Sequence, residues 1–447
     1  MPRLPDAVGR TFSSLSHRNF KLFFWGQLVS NSGNWLTTVA VTLLVLHRTG
    51  SGADVGLLSA CQFGPILLLS AWAGLVADRS NKRHLLYLTQ TLEMLQSVAL
   101  AGLAFWRHSP TWALFAVSLV GGCMLAFDNP ARRSFVNEMV SEGHVTNAVT
   151  LNSAMVNLSR IAGPAIGGAL IVSVGYGWCF AGDAASYLVV LAALAAMRDG
   201  ELRRAPRTPR GPGQVRAGLR YVAATPVLRV SFVLLAVIGT ASYNFTVVFP
   251  LFVERGLHGS DGGYTLVYSL FSAGAVVGTL AVARREAVGP RSMVAGAVAF
   301  GVAMVVLAVV PDLAWAYLVV VAVGGTSVAY MTATTAIVQL RADPQMVGRV
   351  LALQTVLMVG TTPVGGPLLG LLADAAGGRA PVLVGGVAAV AAGVAAAVAF
   401  RRAGSDSVPT QAPTSQAAAR AAATSATAST LRSTSPGVWA SDGKSTS

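Results

Sequence analysis

Apolar runs separated by short polar breaks fill most of the chain, and twelve reach the roughly 20 residues an α-helix needs to cross a hydrocarbon layer. They cover 20–46, 55–77, 84–106, 112–130, 146–174, 178–198, 228–253, 263–283, 292–310, 313–338, 349–373 and 380–400. The pattern predicts an all-α membrane protein of twelve transmembrane helices. In span one the apolar pattern is interrupted by Gln27, Asn31, Asn34, Thr38 and Thr42, spaced four, three, four and four residues apart, which puts them on one helical face. Polar groups are expensive in lipid, so that face looks into protein or water. It is either interhelical hydrogen-bonding glue or the wall of a cavity. Span seven offers Thr240, Tyr243 and Asn244 and span ten offers Thr326, Tyr330 and Thr334 in similar array. A hollow lined this way is expected to be weakly polar and aromatic.

The longest break, 198–229, is rich in Arg, Pro and Gly and holds no apolar run long enough to cross. It reads as a linker, partly an amphipathic surface helix over 215–222. The chain therefore divides into an N-terminal segment 1–19, a six-helix bundle 20–198, a linker 199–227, a second bundle 228–402 and a tail 403–447. From Ser405 the tail is Ala, Ser and Thr with scattered Pro, a composition that buries no core and predicts disorder. An internal repeat supports two pseudo-symmetric bundles. Span five has Gly163-Pro164-Ala165-Ile166-Gly167-Gly168, and span eleven has Gly366-Pro367-Leu368-Leu369-Gly370 six helices later. Repeated bundles around a midplane site are a common way to build a transporter.

Composition agrees: 53% hydrophobic and 11% charged, against about 25% charged in soluble domains. No room is left for a separate enzyme domain. The net charge of +14 bears on orientation and anionic lipid headgroups rather than nucleic acid. With both termini in the cytoplasm, Arg3, Arg10, Arg18, Lys21, Arg132, Arg133, Arg284, Arg285, Arg291, Arg341, Arg349, Arg401 and Arg402 fall inside. Outer loops keep Arg48, Arg107, Arg255 and Arg379. Cys61, Cys123 and Cys179 fall in spans without paired ligand spacing, so neither a disulfide framework nor a metal site is indicated. The first apolar run lacks a convincing cleavage site and is expected to target the chain itself.

Three ionisable residues sit well inside spans: Glu93 in span three, Arg160 in span five and Asp183 in the outer part of span six. Intramembrane charge points to function by default, and burial disfavours the charged form of a carboxyl, which lets it carry a proton. Glu93 is the preferred proton carrier and Asp183 the second, against the alternative of structural pairing. Arg160 can hold a neighbouring carboxylate or an anionic group of a substrate.

The turn between spans two and three reads Gly74-Leu75-Val76-Ala77-Asp78-Arg79-Ser80-Asn81-Lys82-Arg83. It resembles the loop signature of the major facilitator superfamily, Gly-x-Leu-Ala-Asp-Arg-x-Gly-Arg-Arg. Gly74, Ala77, Asp78, Arg79 and Arg83 match, and Lys82 keeps the charge. Asn81 replaces the usual glycine and tolerates a left-handed turn. A second Gly-Leu-Leu-Ala-Asp at 370–374 falls outside by span counting, and Asp374 is expected to be a solvated helix exit. The signature's structural counterpart, the loop after span eight near Arg284 and Arg285, lacks the acid.

Residues 160–168 resemble the helix-five antiporter signature of that superfamily, with Arg160, Gly163, Pro164, Gly167 and Gly168 in place and its earlier glycines replaced by Thr150 and Ser159. The arginine signature of helix four is absent, because 112–127 carries no charge. Phe127-Asp128-Asn129-Pro130-Ala131-Arg132-Arg133, followed by Glu138, resembles the enterobactin-exporter-like and macrolide-efflux-like branch, as do residues 218–221 and 226–229 at the start of span seven.

The resemblance implies a central path lined by helices one, four, seven and ten, hence a substrate cavity bearing Gln27, Asn31, Asn34, Thr38, Tyr243, Asn244 and Tyr330. It also implies that Asp128 faces the basic end of the signature loop. Asp78 and Asp128 with Arg79, Lys82 or Arg83 would then form an inner latch of the outward-open state; the plainer reading is a topogenic charge cluster. The expected protein is a monomeric secondary transporter of the inner membrane. It works by alternating access and exports a small amphipathic molecule (drug, macrolide or siderophore) against protons, with no cofactor beyond the proton gradient and no nucleic-acid partner. Its rivals are an importer of a sugar or metabolite on the same fold and a non-transporting receptor or scaffold.

Overall fold

The computed structural model describes residues 12–106, 108–203, 214–283 and 289–402, and every regular element among them is helical. Arg107, most of the linker's Arg- and Pro-rich part, Arg284, Arg285 and the tail from Ala403 lie outside the described residues.

The twelve spans are Arg18–Thr49, Gly52–Arg79, Lys82–Phe105, Thr111–Glu138, Val145–Val174, Tyr176–Ala195, Pro226–Ala241 with its continuation Phe245–Leu251, Asp261–Ala283, Pro290–Val309, Leu313–Arg341, Val347–Gly360 with its continuation Thr362–Ala376, and Ala380–Arg402. Eleven are long and apolar enough to cross a membrane by composition alone. The exception is span three, whose buried residues include Gln90, Glu93 and Ser97. Its 24 residues still rise about 36 Å, so it crosses while presenting polar groups to its neighbours.

Local chemistry sets the ends. Gly50 closes span one in the left-handed region at φ 61°, its N–H bonded to the Leu46 carbonyl. Asn81 is extended rather than left-handed, with φ −68° and ψ 111°, and its side chain accepts from the N–H groups of Arg83 and His84. Asparagine therefore serves the signature turn as an N-cap, a correction to the expected left-handed residue. Span four runs on to Glu138 past Pro130, eight residues beyond the expected end, because Ala131, Phe135 and Val136 are buried in one apolar cluster with Phe20, Phe23 and Leu86. Span seven breaks at Ser242 and Asn244, where the Asn244 amide donates to the Thr240 (2.8 Å) and Gly239 (3.2 Å) carbonyls left open by the break.

Spans one to six and seven to twelve form two bundles with the same internal contacts: one on six and seven on twelve, two on four and eight on ten, three on six and nine on twelve. The bundles meet chiefly where span two packs on span eleven and span five on span eight. Both seams use the repeated Gly-Pro segments. A Cβ at Gly168 would come within 2.0 Å of Thr265, and one at Gly370 within 2.0 Å of the Gly52 carbonyl. Close approach of bare backbone replaces side-chain packing there. Along span two the contacts continue from Gly52 and Gly56 to Leu67, which meets Gly360, whereas Leu68 and Trp72 are exposed. The halves are thus joined over the part of the seam that the charge pattern assigns to the outside. The linker helix, Gln214–Ala224, packs on spans seven and eleven with Val222 buried, although Leu219 is exposed.

Candidate functional site

A cavity of about 260 Å³ opens within the first bundle, with Asn34, Thr38, Glu93, Arg132, Asp183 and Tyr187 in its wall. Asp183 accepts from the hydroxyls of Thr37 and Ser97, each at 2.7 Å. Asp128 is fully buried, pairs with Arg132 one turn on, and accepts from Thr89 (3.0 Å) and the Gln90 amide (2.8 Å). Gln90 also donates to Glu93 at 3.1 Å, so one amide links two carboxyl groups. The second Glu93 oxygen is buried and has no hydrogen-bond partner. Arg132 completes the chain by donating to Asn31 at 2.6 Å, and Asn31 donates to the Gln27 side-chain oxygen at 3.2 Å. Glu93 and Asp128 are therefore buried beside one guanidinium, with Asp183 in electrostatic reach of Glu93, a set that a low-dielectric interior penalises when every group is charged.

The expected stripe on span one is real, and it does both things that were open. Asn31, Asn34 and Thr38 line the cavity, while Gln27 is buried behind it. Asn34 donates to the Tyr187 hydroxyl at 3.3 Å, and Thr38 bonds back to the Asn34 carbonyl. The second half of the expected set is elsewhere. Tyr330 is fully buried, Asn244 caps the break in span seven, and Tyr243 donates to the Ser327 carbonyl at 2.5 Å within a cluster that includes Phe245 and Phe300. The first-bundle part of the expected set thus lines a charged cavity within one bundle, and Tyr243, Asn244 and Tyr330 are not in its wall. Sequence reasoning missed Thr37, Gln90, Ser97 and Tyr187, and it placed Arg132 in the cytoplasm. The i, i+4 spacing of Asp128 and Arg132 was the available signal for that pair.

The signature loop also differs from expectation. Asp128 does not meet the loop's cations: Lys82 pairs with Glu138, and Arg83 with Asp199 at 2.5 Å and the Leu194 carbonyl at 2.7 Å. The cause is the extra length of span four, which puts Glu138 level with the loop and leaves Asp128, ten residues earlier, about 15 Å deeper. Gly74 and Asp78 lie half-buried near the end of span two, and Arg79 is exposed.

The sequence profile of the transmembrane secretion effector family matches residues 9–425. The chain belongs to that family, within the major facilitator superfamily. It is 28% identical over 388 residues to the multidrug efflux pump Tap of Mycolicibacterium fortuitum, covering 83% of this chain and 94% of that one. It is 24% identical over 379 residues to macrolide efflux protein A of Streptococcus pyogenes (81% and 92% covered) and 23% identical over 261 residues to the staphyloferrin A transporter of Staphylococcus aureus (58% and 66% covered). Among solved structures, a nucleoside transporter superposes with TM-score 0.71 at 13% identity, covering 86% of this chain and 99% of that one. A bacterial homologue of the human lysosomal transporter Spinster superposes with TM-score 0.68 at 16% identity, covering 86% and 97%. The chain is a multi-pass membrane transporter and not an enzyme.

At the seam of this secretion effector, Asp374 is exposed near the end of span eleven, as expected of a helix exit, and it also makes contacts that the sequence did not announce. It accepts from the backbone N–H groups of Gly52 (2.7 Å) and Ala53 (2.8 Å) and from Arg255 (2.7 Å), so the end of span eleven holds the start of span two. The unpaired N–H groups of a helix start are natural partners for a carboxylate. Nearby, Tyr176 donates to Asp261 at 2.6 Å and His47 lies 3.3 Å from the same carboxylate, joining spans one and six to span eight. Of the helix-five signature, Gly163 lies against span one at Ser32 and Trp35, and Gly167 touches Leu36. Pro164 is buried in the helix interior, and Gly168 faces span eight.

Proposed function

We propose that this transporter exports small amphipathic compounds in exchange for protons by alternating access, acting as a monomer in the cell membrane with both termini in the cytoplasm. The observation that carries the reading is the buried Glu93–Gln90–Asp128–Arg132 network at the first-bundle cavity, in which one Glu93 oxygen has no hydrogen-bond partner. Asp128 is committed to Arg132, and Asp183 to two hydroxyls. Glu93 alone of the three has an oxygen without a partner, which makes it the group best placed to gain and lose a proton. Arg132 lies in electrostatic reach of both Glu93 and Asp128. A proton leaving Glu93 therefore creates a second claimant for the same cation and disturbs the hydrogen bonds from Arg132 to span one. The proton gradient is the energy source, and no cofactor takes part.

Alternating access is supported by the seam. Packing between the bundles is concentrated on one part, where backbone contacts and the Asp374 clamp hold it. Rim contacts of this kind are individually weak and can be exchanged for inner ones during a cycle. Charge asymmetry of the loops supports the orientation, and the drug, macrolide and siderophore transporters among the relatives support the substrate range.

The test is accumulation of a macrolide or a drug carried by the relatives in cells with and without the protein, before and after an uncoupler. The expected result is lower accumulation in expressing cells and loss of that difference once the gradient collapses. An unchanged difference with uncoupler present would remove proton coupling.

A further inference from the structure

Arg160 is a half-buried cation in the middle of span five, outside the carboxyl cluster. It lies 15 residues from the start and 14 from the end of span five, hence roughly 20 Å along the helix from either surface. Its guanidinium carbon sits 5.1 Å from the centre of the Trp35 ring. The Trp35 ring is 6.0 Å from that of Tyr268 on span eight, and the Arg160 charge acts on Tyr268. No Asp or Glu among the described residues comes within ion-pair distance of this arginine. Glu93 accepts from Gln90, and Asp183 from Thr37 and Ser97. An arginine at this depth costs several kcal/mol when its charge has no counter-ion, and a single cation–π contact offsets only a part of that.

Placement gives the charge a use. Trp35, Asn152 and Val156 line the cavity, and the last two precede Arg160 by eight and four residues, on its face of span five. Arg160 therefore stands where the cavity wall reaches the second bundle. We propose that Arg160, Trp35 and Tyr268 form a subsite for an organic anion, a carboxylate on a flat or amphipathic body. The planar guanidinium matches a carboxylate in two-point contact, and the two aromatic rings suit an apolar body beside it. Trp35 belongs to one bundle and Tyr268 to the other, so a ligand seated here touches both and binds one arrangement of the bundles better than another. Such differential binding is what a transported molecule needs in order to shift the two states. The inference names the substrate class for the export reading and rests on it for direction only, because binding is measurable without transport.

The test uses the purified full chain and two flat dyes, anionic fluorescein and cationic ethidium, with affinity read by fluorescence anisotropy. Wild type is expected to bind fluorescein, Arg160→Gln to weaken it at least tenfold, and Arg160→Lys to weaken it less, because charge is kept and the fork is lost. Ethidium affinity stays the same or rises in both variants, which also reports that they are folded. Absence of fluorescein binding to wild type, equal binding by Arg160→Gln, or parallel loss of both dyes in Arg160→Lys would overturn the subsite. Uncoupler-sensitive ethidium export without fluorescein binding sinks the subsite and leaves the export reading. Arg160-dependent fluorescein binding without any export sinks the export reading and leaves the subsite.

Discussion

The two bundles repeat one arrangement of helices and fill it with opposite chemistry. In spans one to six, Glu93, Asp128 and Asp183 are buried, the first two of them beside Arg132. In spans seven to twelve, no buried residue among those described carries a charge, and the centre is Tyr243, Phe245, Phe249, Phe271 and Phe300 in mutual contact. The helix pairing is the same in both halves, and a glycine of each Gly-Pro segment lies at a seam. Packing has been kept through the duplication while ionisable chemistry is concentrated in one copy. On this view the first bundle senses protons, and the second is the apolar body it moves against.

The largest effect expected from disturbing that contrast is Arg132→Ala. It leaves Asp128 fully buried beside an unfilled space and is expected to cost about 3–5 kcal/mol, the usual range for breaking a buried pair. Adding Asp128→Asn should restore a large part of the loss in thermal unfolding of the purified protein; a double variant no more stable than Arg132→Ala would mean the pair does not hold the bundle. Next comes Asp183→Leu, which removes the acceptor shared by the Thr37 and Ser97 hydroxyls and leaves them buried without it, so about 1–3 kcal/mol is expected to be lost. Equal stability would show that those hydroxyls rotate to other partners. Smallest is Tyr330→Phe in the second bundle, where the hydroxyl is buried without a partner. That variant should be neutral or slightly stabilising and should leave transport unchanged. A transport defect there would break the division of labour between the halves.

Most of the fold was legible because membrane spans are written in composition: span eight, expected over 263–283, is Asp261–Ala283, and span twelve, expected over 380–400, is Ala380–Arg402. Where local rules compete with packing, the reading slipped. Pro130 looked like an end, yet the buried residues after it carry the helix on to Glu138. That one difference moved the partner of Lys82 from Asp128 to Glu138. Glu93, Asp183 and the span-one stripe stood out because polar residues are rare in apolar runs. Thr37 and Ser97 did not, since a hydroxyl in a membrane helix ordinarily bonds its own backbone and its tertiary partner leaves no mark in spacing. The partners of Asp374 left no mark for the same reason, being in part backbone N–H groups more than 300 residues away.

The central claim is that Glu93 couples proton movement to export. The direct measurement is internal pH in proteoliposomes holding wild type or Glu93→Gln, recorded with a trapped pH dye while an imposed substrate gradient drives transport. Wild type should move protons opposite to substrate, and Glu93→Gln, equally well inserted and still binding substrate, should move none. Substrate-driven proton movement at the wild-type rate in Glu93→Gln would contradict the account.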